Sequence, residues 1–248
     1  ATPIQLLTWP ESLYGKDVVG IVPTNSGKTL AFLLPAIGNS QNGIGVILSP
    51  TRELALQTFK ISSRLVDSTL CTGGRQEDHR EGRVRMIVGT PGRVREHYLD
   101  LKPRVLVLDE ADKVLQQDPP LLDSKDQILL FSATRVEYSG GPAVVELSVA
   151  ARCAVVQNVH VCARHKRLRL LTRYLEKIEK TRHLKILVFC KNAKTVLELF
   201  AHLKTWKRRC VHGKMPQAKR DANLFDFRAG KANVLIATDL AARGLHVP

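Results

Sequence analysis

Short apolar runs recur along the first half of the chain, at residues 17–22, 44–49, 86–88, 105–108 and 128–131. They are rich in Val, Ile and Leu and apolar almost throughout, as strands covered on both faces are. Between them, residues 28–37 and 52–66 read as helices. Strands alternating with helices predict a parallel α/β sheet with right-handed crossovers. The pattern weakens between Arg135 and His165, where Ser139-Gly140-Gly141-Pro142 is a break signal. Two candidate strands follow, at 143–149 and 154–161. A helix over 166–180 comes next, with Leu168, Leu171, Leu175 and Ile178 at helical spacing. A second alternation then predicts a strand at 186–190, a helix at 193–203, a short strand near Cys210, a helix at 217–228 and a strand at 234–238. The expected organisation is a first α/β domain at 1–145, a linker and first-strand region at 146–165, and a second domain at 166–248.

Composition narrows the class. Hydrophobic residues make up 44% of the 248, enough to bury a core, which excludes a disordered chain. No apolar run nears the ~18 residues of a membrane span, and Pro35 interrupts the best candidate, so no membrane partner is expected. A net charge of +15 points to a polyanion such as nucleic acid, or to a solvated surface. Five scattered cysteines, Cys71, Cys153, Cys162, Cys190 and Cys210, include no CxxC pair and suit a reducing, intracellular compartment. Cys153, His160, Cys162 and His165 match no common zinc spacing, so no structural zinc is expected. The basic stretch Lys204, Lys207, Arg208 and Arg209 around Trp206 reads as a helix end with a packed Trp, or as an RNA contact.

Two sites carry chemistry. Pro23-Thr24-Asn25-Ser26-Gly27-Lys28-Thr29 follows the first strand and opens a helix, the context of a phosphate-binding loop. Backbone N–H groups and the helix N-terminus suit a β-phosphate, Lys28 suits β/γ oxygens, and the Thr29 hydroxyl suits Mg²⁺. Val22 stands where the strict loop has Gly, and Asn25 where a Gly would ease a left-handed backbone. The bland alternative is a chance GKT on a surface turn. Asp109-Glu110-Ala111-Asp112 ends the run 105–108, where carboxylates of a parallel strand face the ligand crevice. Asp109 can hold Mg²⁺ through water, and Glu110 can orient the attacking water. Alone, that pair could simply be an acidic helix start. Both sites in one chain favour the catalytic reading.

With these sites placed, the sequence resembles the DEAD-box ATP-dependent RNA helicases over nearly its whole length. Thr2-Pro3-Ile4-Gln5 is similar to the end of the adenine-reading Q motif, with Gln5 pairing with the base. Thr51 and Arg52, Gly73 and Gly74, and Thr90, Gly92 and Arg93 fall in segments similar to the RNA-backbone motifs of the first domain. Ser132-Ala133-Thr134 is similar to the motif that links hydrolysis to strand separation, with Ser132 and Thr134 as coupling residues. In the second half, Gly213, Gln217 and Arg220 fall at family spacing. Thr238, Arg243 and Gly244 belong to a segment similar to motif V. The resemblance implies two tandem RecA-like domains that bind ATP with Mg²⁺ and RNA, and that unwind short duplexes or remodel ribonucleoproteins, ribosome assembly being one setting. RNA contacts would be to backbone, with a ribonucleoprotein particle or protein cofactors as further partners. The nucleolus, a mitochondrion and the cytosol suit a basic chain equally.

Three departures stand out. His246 replaces an Asp expected at the nucleotide sugar. The resemblance puts the arginine-finger motif HRxGRxxR several dozen residues after motif V, past Pro248, so the 248 residues alone are expected to hydrolyse ATP poorly and the natural protein to be longer. His79-Arg80-Glu81-Gly82-Arg83 looks like that motif but falls in the first domain and reads as a solvated turn. An alternative to the enzyme is a low-turnover RNA clamp or assembly factor derived from a helicase.

Overall fold

The computed structural model describes residues 1–23, 26–73, 84–98, 102–117, 127–136, 143–146, 156, 158–179 and 184–238. The chain divides into two compact units, Ala1–Arg152 and Cys153–Pro248. Each is a parallel sheet accompanied by helices, the α/β organisation that the sequence predicts.

The first unit is built on a seven-stranded parallel sheet in the order β3-β4-β2-β5-β6-β1-β7. The strands are β1 (Val18–Ile21), β2 (Gly45–Leu48), β3 (Ser68–Cys71), β4 (Met86–Gly89), β5 (Val105–Asp109), β6 (Gln127–Ser132) and β7 (Ala143–Glu146). Five of these match the apolar runs. Their residues are buried on both faces because alternate side chains feed two cores. Val105, Val107, Leu129 and Phe131 pack with Phe32 and Leu33 on one side. Leu106, Leu108, Ile128 and Leu130 pack with Val94 and Val114 on the other. The helices that cover these faces are α1 (Pro3–Leu13), α2 (Lys28–Asn39), α3 (Arg52–Ser62), α4 (Pro91–His97) and α5 (Ala111–Gln117).

Five elements go beyond the sequence reading. Strand β3 is only four residues and contains Ser68 and Thr69, so it makes no apolar run. Helix α1 contains Pro10 and polar Thr8 and Ser12, which turn inward and bond back to the carbonyls four residues earlier. Helices α4 and α5 span seven residues each, too short for a periodicity to register. Strand β7 pairs with β1, so the first sheet reaches Glu146, one residue beyond the expected edge at 145.

The second unit has a three-stranded parallel sheet in the order β8-β10-β9, formed by β8 (Ile186–Cys190), β9 (Arg208–Val211) and β10 (Val234–Thr238). A 3₁₀ turn (Arg164–Lys166) leads into α6 (Arg167–Glu179), followed by α7 (Ala193–His202) and α8 (Gln217–Arg228). Leu175, Val196, Leu199, Val234 and Ile236 form its core. The expected strand at 154–161 is not found among its described residues, Val156 and 158–161, which lie in no strand. Strand β8 is apolar throughout, yet only Ile186, Val188 and Cys190 face the core, while Leu187 and Phe189 are exposed. The basic stretch after α7 is not a helix end. Arg208 and Arg209 lie in β9, and Trp206 packs half-buried against the second unit's core.

Candidate functional site

All strands of the first sheet run parallel, so their C-terminal ends share one edge. The candidate residues divide that edge in two. The adjacent strands β5, β6 and β1 deliver the nucleotide candidates. The adjacent strands β3, β4 and β2 deliver the RNA candidates. Neighbours in space here are far apart in sequence, which is what a ligand crevice outside strand C-termini requires.

In the nucleotide half, Gly27 starts α2 with φ 92°, a left-handed backbone that glycine adopts without strain. A Cβ there would also stand 2.6 Å from the Thr2 Oγ1. Gln5 closes over the same spot. Its Nε2 donates to the Gly27 carbonyl at 3.1 Å, and its Oε1 accepts from the Thr2 N–H at 2.9 Å. The amide keeps a second N–H and a second lone pair, the donor and acceptor that an adenine edge needs. The α1 helix is latched again by the Trp9 indole, which donates to the Leu30 carbonyl of α2 at 3.3 Å. Lys28 reaches back to donate to the Val22 carbonyl at 3.3 Å. Thr29 follows it in the first turn of α2. Thr24 and Asn25 lie outside the described residues.

Asp109 ends β5, 8% exposed. Burial pushes its carboxyl up to about 6, against the opposing pull of Lys28 and of the Glu110 N–H, which donates to its Oδ1 at 3.0 Å. A carboxyl in that state is short of positive charge, so a cation beside it would return it to the ionised form. Together with the Thr29 hydroxyl it offers the sparse oxygen donors that Mg²⁺ takes when phosphate and water complete the shell. Among the described residues no group of three or more His, Cys, Asp or Glu gathers for a metal, and His160, Cys162 and His165 form no such cluster. Glu110 has φ 48°, a left-handed conformation for a non-glycine residue, at the turn from β5 to α5. That costs roughly 1–2 kcal/mol and fixes the carboxylate at the sheet edge.

The coupling residues join this half directly. The Ser132 hydroxyl at the end of β6 donates to Asp112 Oδ1 at 2.9 Å and accepts from the Thr134 N–H at 3.1 Å. Asp112 was not singled out from sequence, although its place in Asp109-Glu110-Ala111-Asp112 was the available signal. It stands between the acidic strand end and the coupling segment, and Lys113 pairs with it at 3.3 Å.

In the other half, Thr51 caps α3 by accepting from the Leu54 N–H at 3.3 Å. Arg52 donates to the Gly73 carbonyl at 2.9 Å, tying the end of β2 to the end of β3. Thr90 starts α4 and its N–H donates to the Cys71 carbonyl at 3.1 Å. Arg93 pairs with Glu96 at 2.8 Å, and its Nε lies 3.7 Å from where a Gly73 Cβ would be. Gly92 is open above. The ends of three adjacent strands thus bring Thr51, Arg52, Gly73, Thr90, Gly92 and Arg93 together. Gly74 and the look-alike at 79–83 lie outside the described residues.

In the second unit, β9 leads through buried His212 to Gly213, which is exposed with nothing above it. Thr238 ends the neighbouring β10, half-buried. Gln217 and Arg220 sit in the first turn of α8, Arg220 donating to the Gln217 Oε1 at 3.1 Å. Arg243, Gly244 and His246 lie outside the described residues. Four described cysteines, Cys71, Cys162, Cys190 and Cys210, are free thiols. No described helix is long and apolar enough to cross a membrane.

Similarity to known proteins follows the same division. Residues 2–138 match the DEAD/DEAH box helicase family, and residues 166–248 match the helicase conserved C-terminal domain. The ATP-dependent RNA helicase HAS1 of Kluyveromyces lactis is 35% identical, and that of Saccharomyces cerevisiae 34%, each matched over all of this chain. The chain spans 59% and 58% of their respective lengths. Each match runs over 292 positions against 248 residues here, so the relatives carry internal residues that this chain lacks. Saccharomyces cerevisiae Dbp5 bound to RNA and ADP BeF3 is similar in structure, with TM-score 0.77, 25% identity, and coverage of 100% of this chain and 72% of that one. A DEAD box protein from Methanococcus jannaschii gives TM-score 0.52 at 30% identity, covering 99% and 76%. With a candidate phosphate loop and an acidic strand end on one edge of a parallel sheet, beside a row of candidate RNA contacts, and within these matches, the chain belongs to the DEAD-box helicase family.

Proposed function

We propose that the protein is an RNA-dependent ATPase that uses ATP with Mg²⁺ to separate short RNA duplexes or remodel ribonucleoproteins. The observation that carries this reading is the split sheet edge, with the candidate nucleotide residues on β5-β6-β1 beside the candidate RNA contacts on β3-β4-β2. Gln5 would hold the base, Lys28 and the α2 N-terminus the phosphates, and Thr29 and Asp109 the cation. Bound Mg²⁺–ATP supplies the scissile anhydride with its charge neutralised. Glu110 orients the attacking water and takes up its proton as the water oxygen bonds to the γ-phosphorus and the P–O bond to the β–γ bridging oxygen breaks, releasing ADP. Thr51, Arg52 and Arg93 meet RNA phosphates and sugars, which carry no base information, so target choice is left to other contacts. The bond from Ser132 to Asp112 gives the acidic strand end a mechanical link to the rest of the edge.

The test uses the full-length protein. ATP turnover should rise on adding RNA, and Glu110→Gln should lower it by about 10²–10⁴-fold while ATP binding persists. Turnover no higher than that of the variant, with RNA present, overturns the enzymatic reading. ATP-dependent RNA binding without turnover would identify the clamp instead.

A further inference from the structure

The net charge is not shared between the two units. Residues 153–248 hold 21 Lys+Arg against 6 Asp+Glu, whereas residues 1–152 hold 17 of each. The entire excess of +15 lies in the second unit, although each unit carries candidate RNA residues. Its densest part is the 3₁₀ turn and α6. From Arg164 to Lys177 there are six Lys or Arg, and only Glu176 is acidic.

Lys166, which closes the 3₁₀ turn, and Arg169, Arg173 and Lys177 of α6 recur at i, i+3, i+7 and i+11, so they form one stripe along the turn and helix. All four are exposed, and the stripe runs about 16 Å at helical rise. Leu175, on the opposite face, packs into the core. No described residue forms an ion pair with any of the four. Such a row repels itself and gains by meeting an anion.

A second observation says which anion. Tyr174 is 45% exposed, with the His160 ring edge-on at 6.3 Å. Both line an open groove beside Arg173 and Lys177, over Leu170 and Leu171. Exposed aromatic faces beside a cationic row are what single-stranded RNA uses, bases stacking while phosphates follow the charges. An acidic peptide would satisfy the cations and leave the ring idle.

We propose that the α6 face is a second contact surface for single-stranded RNA, with Lys166, Arg169, Arg173 and Lys177 on the backbone and Tyr174 under a base. It rests on the RNA-binding reading above but uses none of the residues assigned there. It extends the length of RNA held and adds little to binding of a short oligonucleotide.

The experiment compares oligouridylates of about six and about twenty nucleotides on the full-length protein, over a range of salt. Replacing all four cations by Gln should lower the salt slope for the long RNA by about 3, at ~0.7 per phosphate contact. Short-RNA affinity and RNA-stimulated ATPase should stay within about twofold. Tyr174→Ala should weaken long-RNA binding about tenfold at unchanged slope, and Tyr174→Phe should restore it. If the fourfold variant does not fold, the Arg169→Gln, Arg173→Gln pair should show half the slope change. An unchanged slope means the charges only solvate the helix and ends the proposal. Displacement of RNA by oligoglutamate as readily as by unlabelled RNA, with Tyr174→Ala silent, means an acidic polypeptide surface and also ends it. Wild-type protein that binds neither RNA overturns the RNA reading itself, and this inference with it.

Discussion

At the residue scale the chemistry turns on Asp109. Its carboxyl titrates near 6 in the folded chain, because burial outweighs Lys28, against 3.8 when exposed. Between those values the folded state holds a proton that the unfolded chain has released. Stability of nucleotide-free protein from this group is therefore greatest below pH 4 and is lost as pH rises through 6. The loss is about 3 kcal/mol at most. Asp109→Asn cannot titrate, so the stability difference between wild type and variant should change by that amount between pH 4 and pH 7 in urea unfolding. A flat difference would show that the carboxyl is not raised. The residue types at this site were legible from sequence because Lys28, at a helix start, and Asp109 and Glu110, at a strand end, sit in short motifs. The partnerships were not. That Gln5 donates to Gly27, or Ser132 to Asp112, depends on which strands become neighbours, and no local pattern encodes the order β5-β6-β1.

At the scale of elements, α1 is the part whose placement matters most and which sequence showed least. It carries Gln5 at one end. At the other it is held by a buried amide network. Gln127, at the start of β6, donates to the Ser12 and Lys16 carbonyls at 2.7 and 2.8 Å. Asn39, at the end of α2, donates to the Ser12 carbonyl at 2.7 Å and to the Gln127 Oε1 at 2.9 Å. Two helices and a strand thus meet through side-chain amides at the sheet edge opposite the phosphate loop. Gln127→Leu keeps the volume but takes the amide donor from the Lys16 carbonyl and an acceptor from Asn39, while the Ser12 carbonyl keeps Asn39. It should cost about 1–3 kcal/mol in chemical denaturation. A loss under about half a kcal/mol would mean water replaces the amide without penalty. Most strands were legible because they write an apolar run, which β8 keeps although Leu187 and Phe189 are exposed. The bounds of β8, α8 and β10 coincide with the sequence reading for that reason, or through helical periodicity. Short or polar elements such as β3 and α5 gain their stability from neighbours, so they leave no such trace.

At the scale of the whole molecule, the chain is two bodies with separate cores, one neutral in net charge and one strongly basic. The described nucleotide candidates, Gln5, Gly27, Lys28, Thr29, Asp109 and Glu110, all belong to the first. A ligand that binds only one folded unit stabilises that unit alone. The molecule contains two tryptophans, and each unit has one, Trp9 against α2 and Trp206 against the second core. Trp206→Phe therefore leaves a fluorophore that reports the first unit, and Trp9→Phe one that reports the second. Heated without ligand, the two variants should melt at different temperatures, since the seven-stranded and three-stranded sheets bury different cores. ADP with Mg²⁺ at about a hundred times its Kd should add about 2.7 kcal/mol to the unit reported by Trp9 and leave the Trp206 transition in place. A coincident transition in both variants, moving together on adding ADP, would mean that the units unfold as one. The nucleotide would then stabilise the basic body through contacts between units, and the separation of a nucleotide-holding unit from a charge-bearing unit would be wrong.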